Sequence, residues 1–244
     1  MQRDILGNPI TGQSGTTLRG IDDFVEGYLA YETRAERILG TAEADPESCL
    51  ANTYAGMLWM LLEAPEAASR AAPYLVIAER MAYSATRREQ LNARMLRAWV
   101  DDDLALAIRI CDQLTDEFPR DLVIVKTQQY FEFNRGNSPA MLRVAMKAVS
   151  AGADVSYAHG MAAFAYEQCH LLEEAESAAC AALTMRRKEP WAQHALAHVL
   201  LSRGQIEQGA RFLEEAQETW IGLNSFMLTH IWWHLALFYL SQGR

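Results

Sequence analysis

The sequence has few basic residues and no basic stripe. Its 22 lysines and arginines are outnumbered by 31 aspartates and glutamates, which gives a net charge of −9. Nucleic-acid binding needs a basic surface to meet the phosphates, so we expect no nucleic-acid partner. No apolar run is long enough to span a bilayer, and the N-terminal "MQRDILGNPITGQSG" lacks the apolar segment of a signal peptide. The sequence therefore predicts a cytoplasmic protein without a membrane partner.

Cysteine is also scarce, and the motifs of several common enzymes are missing. The sequence has four scattered cysteines and no CxxC pair: Cys49, Cys111, Cys169 and Cys180. This pattern is typical of reduced core residues rather than of a disulfide framework or a zinc-thiolate site. The sequence has no HExxH metalloprotease motif, no glycine-rich phosphate loop and no GxSxG nucleophile elbow. None of these motifs therefore identifies a catalytic residue.

The sequence has no strand signals and instead contains a helical repeat. No Val/Ile/Thr alternation is bounded by Asn-Gly turns, so we predict no sheet. Breaks between helical patterns recur at 34-residue intervals, at Asp102, Gly136, His170 and Gly204. Mostly small residues follow at fixed offsets from these breaks, among them Ala107, Ala148, Ala175, Ala182, Gly209 and Ala216. Small side chains let antiparallel helices approach closely, and a 34-residue period is the tetratricopeptide signature.

We therefore predict an all-α, right-handed solenoid of tetratricopeptide-like helical hairpins in a single domain, residues 1–244. Residues 1–86 form irregular N-terminal helices at 17–40, 47–63 and 66–84. Four repeats occupy 87–220, and a final half repeat occupies 221–244. The chain stops where the partner of the last helix should begin. Because an uncapped repeat exposes apolar residues, we expect a homodimer through this end. The residues expected to need cover are Leu235, Leu237, Phe238 and Leu240.

The first helix of each tetratricopeptide hairpin lines the concave surface, and counting along the repeats gives the residues of that groove. The ligand-groove residues predicted in this way are Glu89, Lys126, Tyr130, Tyr157, Glu167, Trp191 and Trp233. Tyrosine and tryptophan there favour contact with an organic ligand or a peptide. Aromatic residues on a helical stripe are just as typical of a packed core.

Two phrases near the C-terminus each carry a histidine pair, "HALAHVL" at 194–200 and "HIWWHLA" at 230–236. Residues four apart lie on one face of a helix, and adjacent repeats place their first helices side by side, so the pairs should converge. Neutral imidazoles bind divalent transition metals such as Zn or Fe. The predicted metal ligands are His194, His198, His230 and His234. A metal-free polar pocket and plain hydrogen-bonded packing are the two other interpretations that the sequence leaves open.

Longer stretches of the chain resemble a known family. "SYAHGMAAFAYEQC", "WAQHALAHVLLSRGQIEQGARFLEEAQETW", "HIWWHLALFYLSQG" and the N-terminal "GNPITGQS" resemble the tetratricopeptide repeat protein 38 family, in particular its StaR-like bacterial branch. The resemblance covers nearly the whole chain and implies the repeat fold. Members are usually longer, so a C-terminal part is expected to be absent here. The family often has histidine at the positions of Asn92 and Gln129 in this chain. If those histidines are ligands in the family, this protein has fewer ligands at its site.

The leading functional prediction is a cytoplasmic tetratricopeptide-like binding protein. Its concave groove, rich in histidine, tryptophan and tyrosine, would hold a peptide or a small organic ligand. The alternative is a metal-dependent enzyme of specialised, natural-product metabolism that uses the paired histidines. No residue of the sequence is assigned a catalytic role.

Overall fold

The structure is a computed structural model that describes residues 2–243 of the chain. The elements of this part are two short strands, β1 (Gln2–Arg3) and β2 (Pro9–Ile10), and the helices α1 (Gly15–Leu29), α2 (Arg37–Ala44), α3 (Cys49–Met60), α4 (Ala67–Ala82), α5 (Arg87–Val100), α6 (Leu104–Glu117), α7 (Leu122–Asn134), α8 (Ser138–Ala151), α9 (Ser156–Gln168), α10 (Leu172–Met185), α11 (Pro190–Ser202), α12 (Ile206–Ala216) and α13 (Ser225–Ser241). Two 3₁₀ turns, Thr33–Glu36 and Gln217–Trp220, precede α2 and follow α12.

The chain folds into two compact units, and the boundary in the sequence falls within α7. The first unit contains the residues up to Tyr28 together with Arg34–Phe131, and the second contains Leu29–Thr33 together with the residues from Glu132 onward. Each unit is built of helical hairpins, so the predicted all-α, tetratricopeptide-like solenoid fold is confirmed. The prediction of a single domain remains untested.

In the first unit, the hairpins α3/α4 and α5/α6 pack together, with α5 against both α3 and α4. Arg88 of α5 is fully buried. Its guanidinium contacts carboxylate oxygens of Asp121 at 2.6 Å and Asp4 at 2.9 Å, and it donates to the Tyr54 hydroxyl at 3.0 Å. These partners satisfy a charge that would otherwise be very unfavourable in a core.

In the second unit, the hairpins α9/α10 and α11/α12 stack in order and α13 follows. Helix α11 packs against α9 on one side and α13 on the other, so the first helices of successive repeats are neighbours. The turn residues between paired helices adopt left-handed backbone angles, with φ of 68° at Gly136, 57° at His170 and 68° at Gly204. Asp102, the corresponding residue of the first unit, has φ of 60°. The 34-residue period therefore marks a recurring helix-ending conformation.

The predicted small-residue positions lie inside these hairpins. Ala175 and Ala182 of α10 are fully buried, and Ala216 of α12 is 6% exposed. Gly209 of α12 faces the aromatic ring of Phe238 in α13 so closely that an added Cβ would lie 2.2 Å from it. Close approach of neighbouring helices is therefore the reason that small residues recur in the sequence.

Two sequence predictions for the N-terminal region are wrong. The expected absence of a sheet fails because β1 and β2 pair antiparallel, Gln2 opposite Ile10. This hairpin depends on turn chemistry: the Asp4 carboxylate accepts the amide protons of Leu6 at 3.0 Å and Asn8 at 2.9 Å. The strands are too short to show the alternation by which strands are recognised in a sequence.

The expected helix at 17–40 is also divided. Helix α1 ends at Leu29, Tyr31 adopts φ of 56°, and α2 begins only at Arg37. The intervening backbone bonds elsewhere in the second unit, where Glu32 forms an isolated antiparallel bridge with Leu223. The prediction fails because this partner segment is remote in sequence.

Part of the apolar surface of the final helix α13 is buried within the fold. Leu235 and Phe238 are each 1% exposed, so the expectation that they need cover is wrong. Their partner surface includes the face of α12 around Gly209. Leu240 of the same helix remains 66% exposed.

None of the helices within residues 2–243 combines the length and the apolar character that a membrane crossing requires.

Candidate functional site

The two helices that carry the histidine pairs have well-defined N-termini. Helix α11 begins at Pro190, where proline suits a first turn, and the Glu189 carboxylate accepts the amide proton of Ala192. Helix α13 begins after Asn224, whose side-chain oxygen accepts the amide proton of Met227 at 2.9 Å. These caps fix where each helix starts and therefore which face each histidine occupies.

The four histidines converge in the second unit, and we call them the histidine cluster: His194 and His198 of α11, His230 and His234 of α13. One ligand nitrogen from each lies within 4.8 Å of those of the other three. Three Nε2–Nε2 distances are within hydrogen-bond range: 2.8 Å for His194–His230, 3.1 Å for His230–His234 and 3.2 Å for His234–His198. The i, i+4 spacing and the neighbouring helices produce this convergence.

Hydrogen bonds cannot satisfy all three contacts. An imidazole nitrogen carries either a proton or an in-plane lone pair, so each Nε2 can donate one bond or accept one. His230 and His234 each approach two other Nε2 atoms. At most two of the three contacts are therefore linear hydrogen bonds, and the third can only share a proton or a lone pair that is already used. A cation at the centre would instead let all four lone pairs point inward.

A carboxylate contacts the Nδ1 atom of one imidazole of the histidine cluster, on the side away from its Nε2 atom. Oε1 of Glu167, near the end of α9, lies 3.2 Å from Nδ1 of His198. Burial alone would raise the pKa of Glu167, but the hydrogen bond from His198 helps to lower that pKa below the usual range. An ionised carboxylate at this place accepts the Nδ1 proton and leaves Nε2 with its lone pair. This is the arrangement by which metal-binding histidines are usually oriented.

The environment keeps three of the imidazoles neutral. Burial, followed by the neighbouring imidazoles, lowers the pKa of His194 well below its usual range. The same causes lower the pKa of His234 to about 3, and burial followed by His198 lowers the pKa of His230. Neutral imidazoles have the free lone pair that a metal ligand needs. Within the described residues, Nδ1 of His194 is buried without a hydrogen-bond partner.

Aromatic rings border two members of the cluster. Trp191 stacks on His194 with ring centroids 4.7 Å apart and an interplanar angle of 17°. Phe226 stacks on His230 at 5.6 Å and 10°. Tyr31 contacts both of these aromatic residues, Trp191 at 5.2 Å and Phe226 at 6.0 Å. The cluster therefore has apolar walls on the side of His194 and His230.

Three of the predicted groove residues belong to the first unit and make contacts there. Glu89 is fully buried and completes a capping box with Thr86 at the start of α5. Lys126 is 7% exposed and donates to the backbone oxygen of Tyr28 at 2.5 Å. Tyr130 is half-buried, and its hydroxyl donates to Glu63 at 2.7 Å. These contacts stabilise the unit itself, and a ligand role for the three residues remains a prediction.

The other predicted groove residues belong to the second unit. Glu167 and Trp191 contact the histidine cluster directly. Tyr157 is 5% exposed beneath the Arg186 guanidinium, which lies 5.1 Å from its ring. Trp233, between the two histidines of α13, is 58% exposed. The structure thus brings Glu167 and Trp191 to the cluster and leaves Trp233 on the surface beside it.

Sequence reasoning missed two aromatic residues at the cluster. Phe226 lies four residues before His230, so its helical spacing could have indicated it. Tyr31 precedes the histidines by more than 160 residues in the sequence. Its place depends on the break after α1, for which the sequence has no proline or Asn-Gly signal.

No protein-family model matches the sequence. Two solved structures of MamA are similar in their helical arrangement. The structure described as MamA 41-end from Desulfovibrio magneticus RS-1 has 15% identity over 67% of this chain and 94% of its own, with a TM-score of 0.49. The RS-1 MamA ArsTM double mutant has 15% identity over 67% of this chain and 93% of its own, with a TM-score of 0.48. These similarities are too distant to indicate a function.

Proposed function

We propose that the protein is a tetratricopeptide-like binding protein whose histidine cluster holds one divalent transition-metal ion. The observation that supports this function is the approach of four imidazole nitrogens to within 4.8 Å of one another. Linear hydrogen bonds satisfy at most two of the three Nε2 contacts, so hydrogen-bonded packing leaves the third contact weak. Metal coordination would account for all three, because it requires neutral imidazoles whose lone pairs point to a common centre.

The donor set determines the class of metal. Four imidazole nitrogens suit Zn, Cu, Fe and Ni, whereas Mg and Ca prefer carboxylate and carbonyl oxygens. Zn and Fe are also the metals predicted from the sequence, and zinc with four protein ligands is the usual structural arrangement. Four neutral ligands would leave the full charge of the ion, which the Glu167 carboxylate partly balances through His198.

Equilibrium metal binding tests the proposal. The full chain, purified without a polyhistidine tag and stripped of metal, is titrated with Zn²⁺ against a chromophoric chelator. We expect one tight equivalent for the wild type and its loss in the double variant His194→Ala/His230→Ala. His159→Ala is the matched control, since His159 lies in the same unit and bonds to the backbone oxygen of Ala153. Circular dichroism should show equal helicity in all three proteins. Wild-type affinity in the double variant would exclude the cluster as the site.

A peptide or small organic ligand beside the cluster is the second part of the proposal. Trp233 and Phe226 are 58% and 57% exposed, although large apolar side chains are usually covered. A fluorescent apolar probe, 1-anilinonaphthalene-8-sulfonate, tests this surface directly. We expect fluorescence enhancement with the wild type and a marked decrease with Trp233→Ala. Equal enhancement by both proteins would place the apolar binding surface elsewhere.

One observation favours the enzyme of specialised metabolism as an alternative. The His198 side chain is 25% exposed, so a metal in the cluster would be reachable from solvent. A catalytic metal keeps an open coordination position, whereas a structural one is closed. Azide added to the Co²⁺-loaded protein distinguishes the two cases. A shift of the Co²⁺ absorption bands would support an open, catalytic type of site, and an unchanged spectrum would support a closed binding site.

We include in this proposal membership of the tetratricopeptide repeat protein 38 family and a cytoplasmic location. The sequences "HALAHVL" and "HIWWHLA" support the family membership. The cysteines support the location, because none of them forms a disulfide within residues 2–243. Fractionation of the native host tests the location, and recovery outside the cytoplasm would contradict it.

A further inference from the structure

Five aromatic rings form a closed circuit through half of the histidine cluster. The successive centroid distances are 5.2 Å for Tyr31–Trp191, 4.7 Å for Trp191–His194, 4.7 Å for His194–His230, 5.6 Å for His230–Phe226 and 6.0 Å for Phe226–Tyr31. Four of the rings come from α11 and α13. Tyr31 comes from the segment between α1 and α2, and it closes the circuit on the side away from the histidines.

Tyr31 lies in a short segment, residues 31–33, which we call the strap. Its backbone is fixed to the residues before α13: the Thr33 amide donates to the Gly222 oxygen at 3.0 Å, and the Asn224 amide donates to the Tyr31 oxygen at 2.6 Å. Asn224 also caps α13, the helix that carries Phe226 and His230. The strap therefore contacts the start of the helix that supplies half of the cluster.

An ion pair fastens the middle of the strap. Nζ of Lys188, just before α11, lies 2.7 Å from a carboxylate oxygen of Glu32 and donates to the backbone oxygen of Ile221 at 2.8 Å. The Lys188 side chain is 33% exposed and that of Glu32 is 12% exposed, so water screens this pair only in part. One lysine thereby links the strap, the residues before α11 and the residues before α13.

The backbone of Tyr31 is in an unfavourable conformation. Its φ of 56° lies in the left-handed region, which non-glycine residues with a bulky side chain rarely adopt. Such a residue persists where the surrounding contacts determine it, and these residues occur often at functional sites. The contacts here are the two aromatic rings, the two backbone hydrogen bonds and the ion pair described above.

We propose that Tyr31 is a positioning residue of the metal centre. This inference rests on the proposed metal function. Through its ring contacts, Tyr31 holds Trp191 against His194 and Phe226 against His230. The two rings flank the pair with the shortest Nε2–Nε2 distance, 2.8 Å. Tyr31 thus limits rotation of these two imidazoles and keeps their lone pairs directed at the common centre. By reciprocity, metal binding also favours the docked strap.

The experiment uses the full chain loaded with Co²⁺, whose absorption bands report ligand geometry, and with Zn²⁺ in chelator competition. Tyr31→Ala removes the ring and should weaken metal affinity about 10-fold or more, in the range measured for groups that orient metal ligands. It should also shift the Co²⁺ bands. Tyr31→Phe keeps the ring and should restore both the affinity and the spectrum. Tyr83→Ala, at a tyrosine that is 96% exposed, is the control for loss of a tyrosine.

Lys188→Gln provides the second variant in case Tyr31→Ala fails to fold. It breaks the ion pair to Glu32 while leaving all five rings in place, and we expect a smaller loss of affinity in the same direction. Wild-type affinity and spectrum in Tyr31→Ala would overturn the role of Tyr31 but not the metal site. If Tyr31→Ala is unfolded, wild-type affinity in Lys188→Gln would have the same consequence. Absence of metal binding by the wild type would instead overturn the proposed function and this inference together.

Discussion

At the scale of single residues, the two nitrogens of His198 have separate roles in the histidine cluster. The Nε2 atoms approach one another at 2.8 to 3.2 Å, so they face the common centre. Nδ1 of His198 faces outward to the Glu167 carboxylate. This division fixes which tautomer His198 adopts and makes its Nε2 a stronger donor to a metal.

Replacement of Glu167 tests this division. Glu167→Gln keeps the shape but removes the charge that holds the Nδ1 proton of His198, so Zn²⁺ affinity should fall by about 10- to 100-fold. Glu173→Gln, at an exposed carboxylate of the same unit, should leave the affinity unchanged. Chelator competition measures both variants. Equal affinity for Glu167→Gln and the wild type would show that the carboxylate does not orient the ligand.

The residues of the cluster differ in how far the sequence predicts them. The pairs at 194/198 and 230/234 could be predicted because four-residue spacing fixes a shared helix face. Their support could not be predicted in the same way. The contact of Tyr31 with Trp191 depends on a left-handed residue in a break between helices, and such a conformation has no sequence signal when the residue is not glycine or asparagine.

At the scale of helices and turns, the repeat pattern is the best-predicted feature. Gly136 and Gly204 allow the left-handed turn without steric cost, and His170 adopts it at the same place in the repeat. The 34-residue period of left-handed turns therefore continues at His170, where another residue replaces glycine. The helix expected at 17–40 could not be placed correctly, because its break is stabilised by the remote residues 222–224.

Two glycines in helices predict opposite effects of the same substitution. Gly40 in α2 has open space around a built Cβ, whereas a Cβ on Gly209 in α12 would lie 2.2 Å from the Phe238 ring. Gly40→Ala should raise the free energy of unfolding by about 0.5–1 kcal/mol through helix propensity. Gly209→Ala should lower it by about 1–3 kcal/mol, because Phe238 is buried and overpacking outweighs propensity. Urea denaturation measures both, and stabilisation by Gly209→Ala would contradict the close packing of α12 on α13.

At the scale of the whole molecule, α13 carries an exposed apolar face. Phe226, Trp233 and Leu240 are 57%, 58% and 66% exposed and lie seven residues apart, so they form one stripe along the helix. The sequence predicted an apolar C-terminal end but assigned part of it to the wrong residues. Leu235 and Phe238 proved to be buried, because sequence periodicity does not show which face of a uniformly apolar helix meets its neighbour.

Self-association through this stripe remains our prediction. Burial of exposed tryptophan and leucine favours a homodimer, and light scattering at high micromolar concentration should give about twice the chain mass of 27.4 kDa. Trp233→Glu combined with Leu240→Glu should restore the monomer, since charges on the stripe oppose its burial. Lys147→Glu, a single charge change outside α13, is the control. A monomeric wild type at the same concentration would exclude a dimer through α13.

Binding of one metal ion by all four histidines underlies the proposed function. X-ray absorption at the zinc edge of the Zn²⁺-loaded, untagged protein measures this coordination, because scattering within the imidazole ring identifies histidine ligands. We expect four nitrogen neighbours at about 2.0–2.1 Å with the imidazole pattern. A first shell made of oxygen, or a sulfur distance of about 2.3 Å that indicates cysteine, would contradict it.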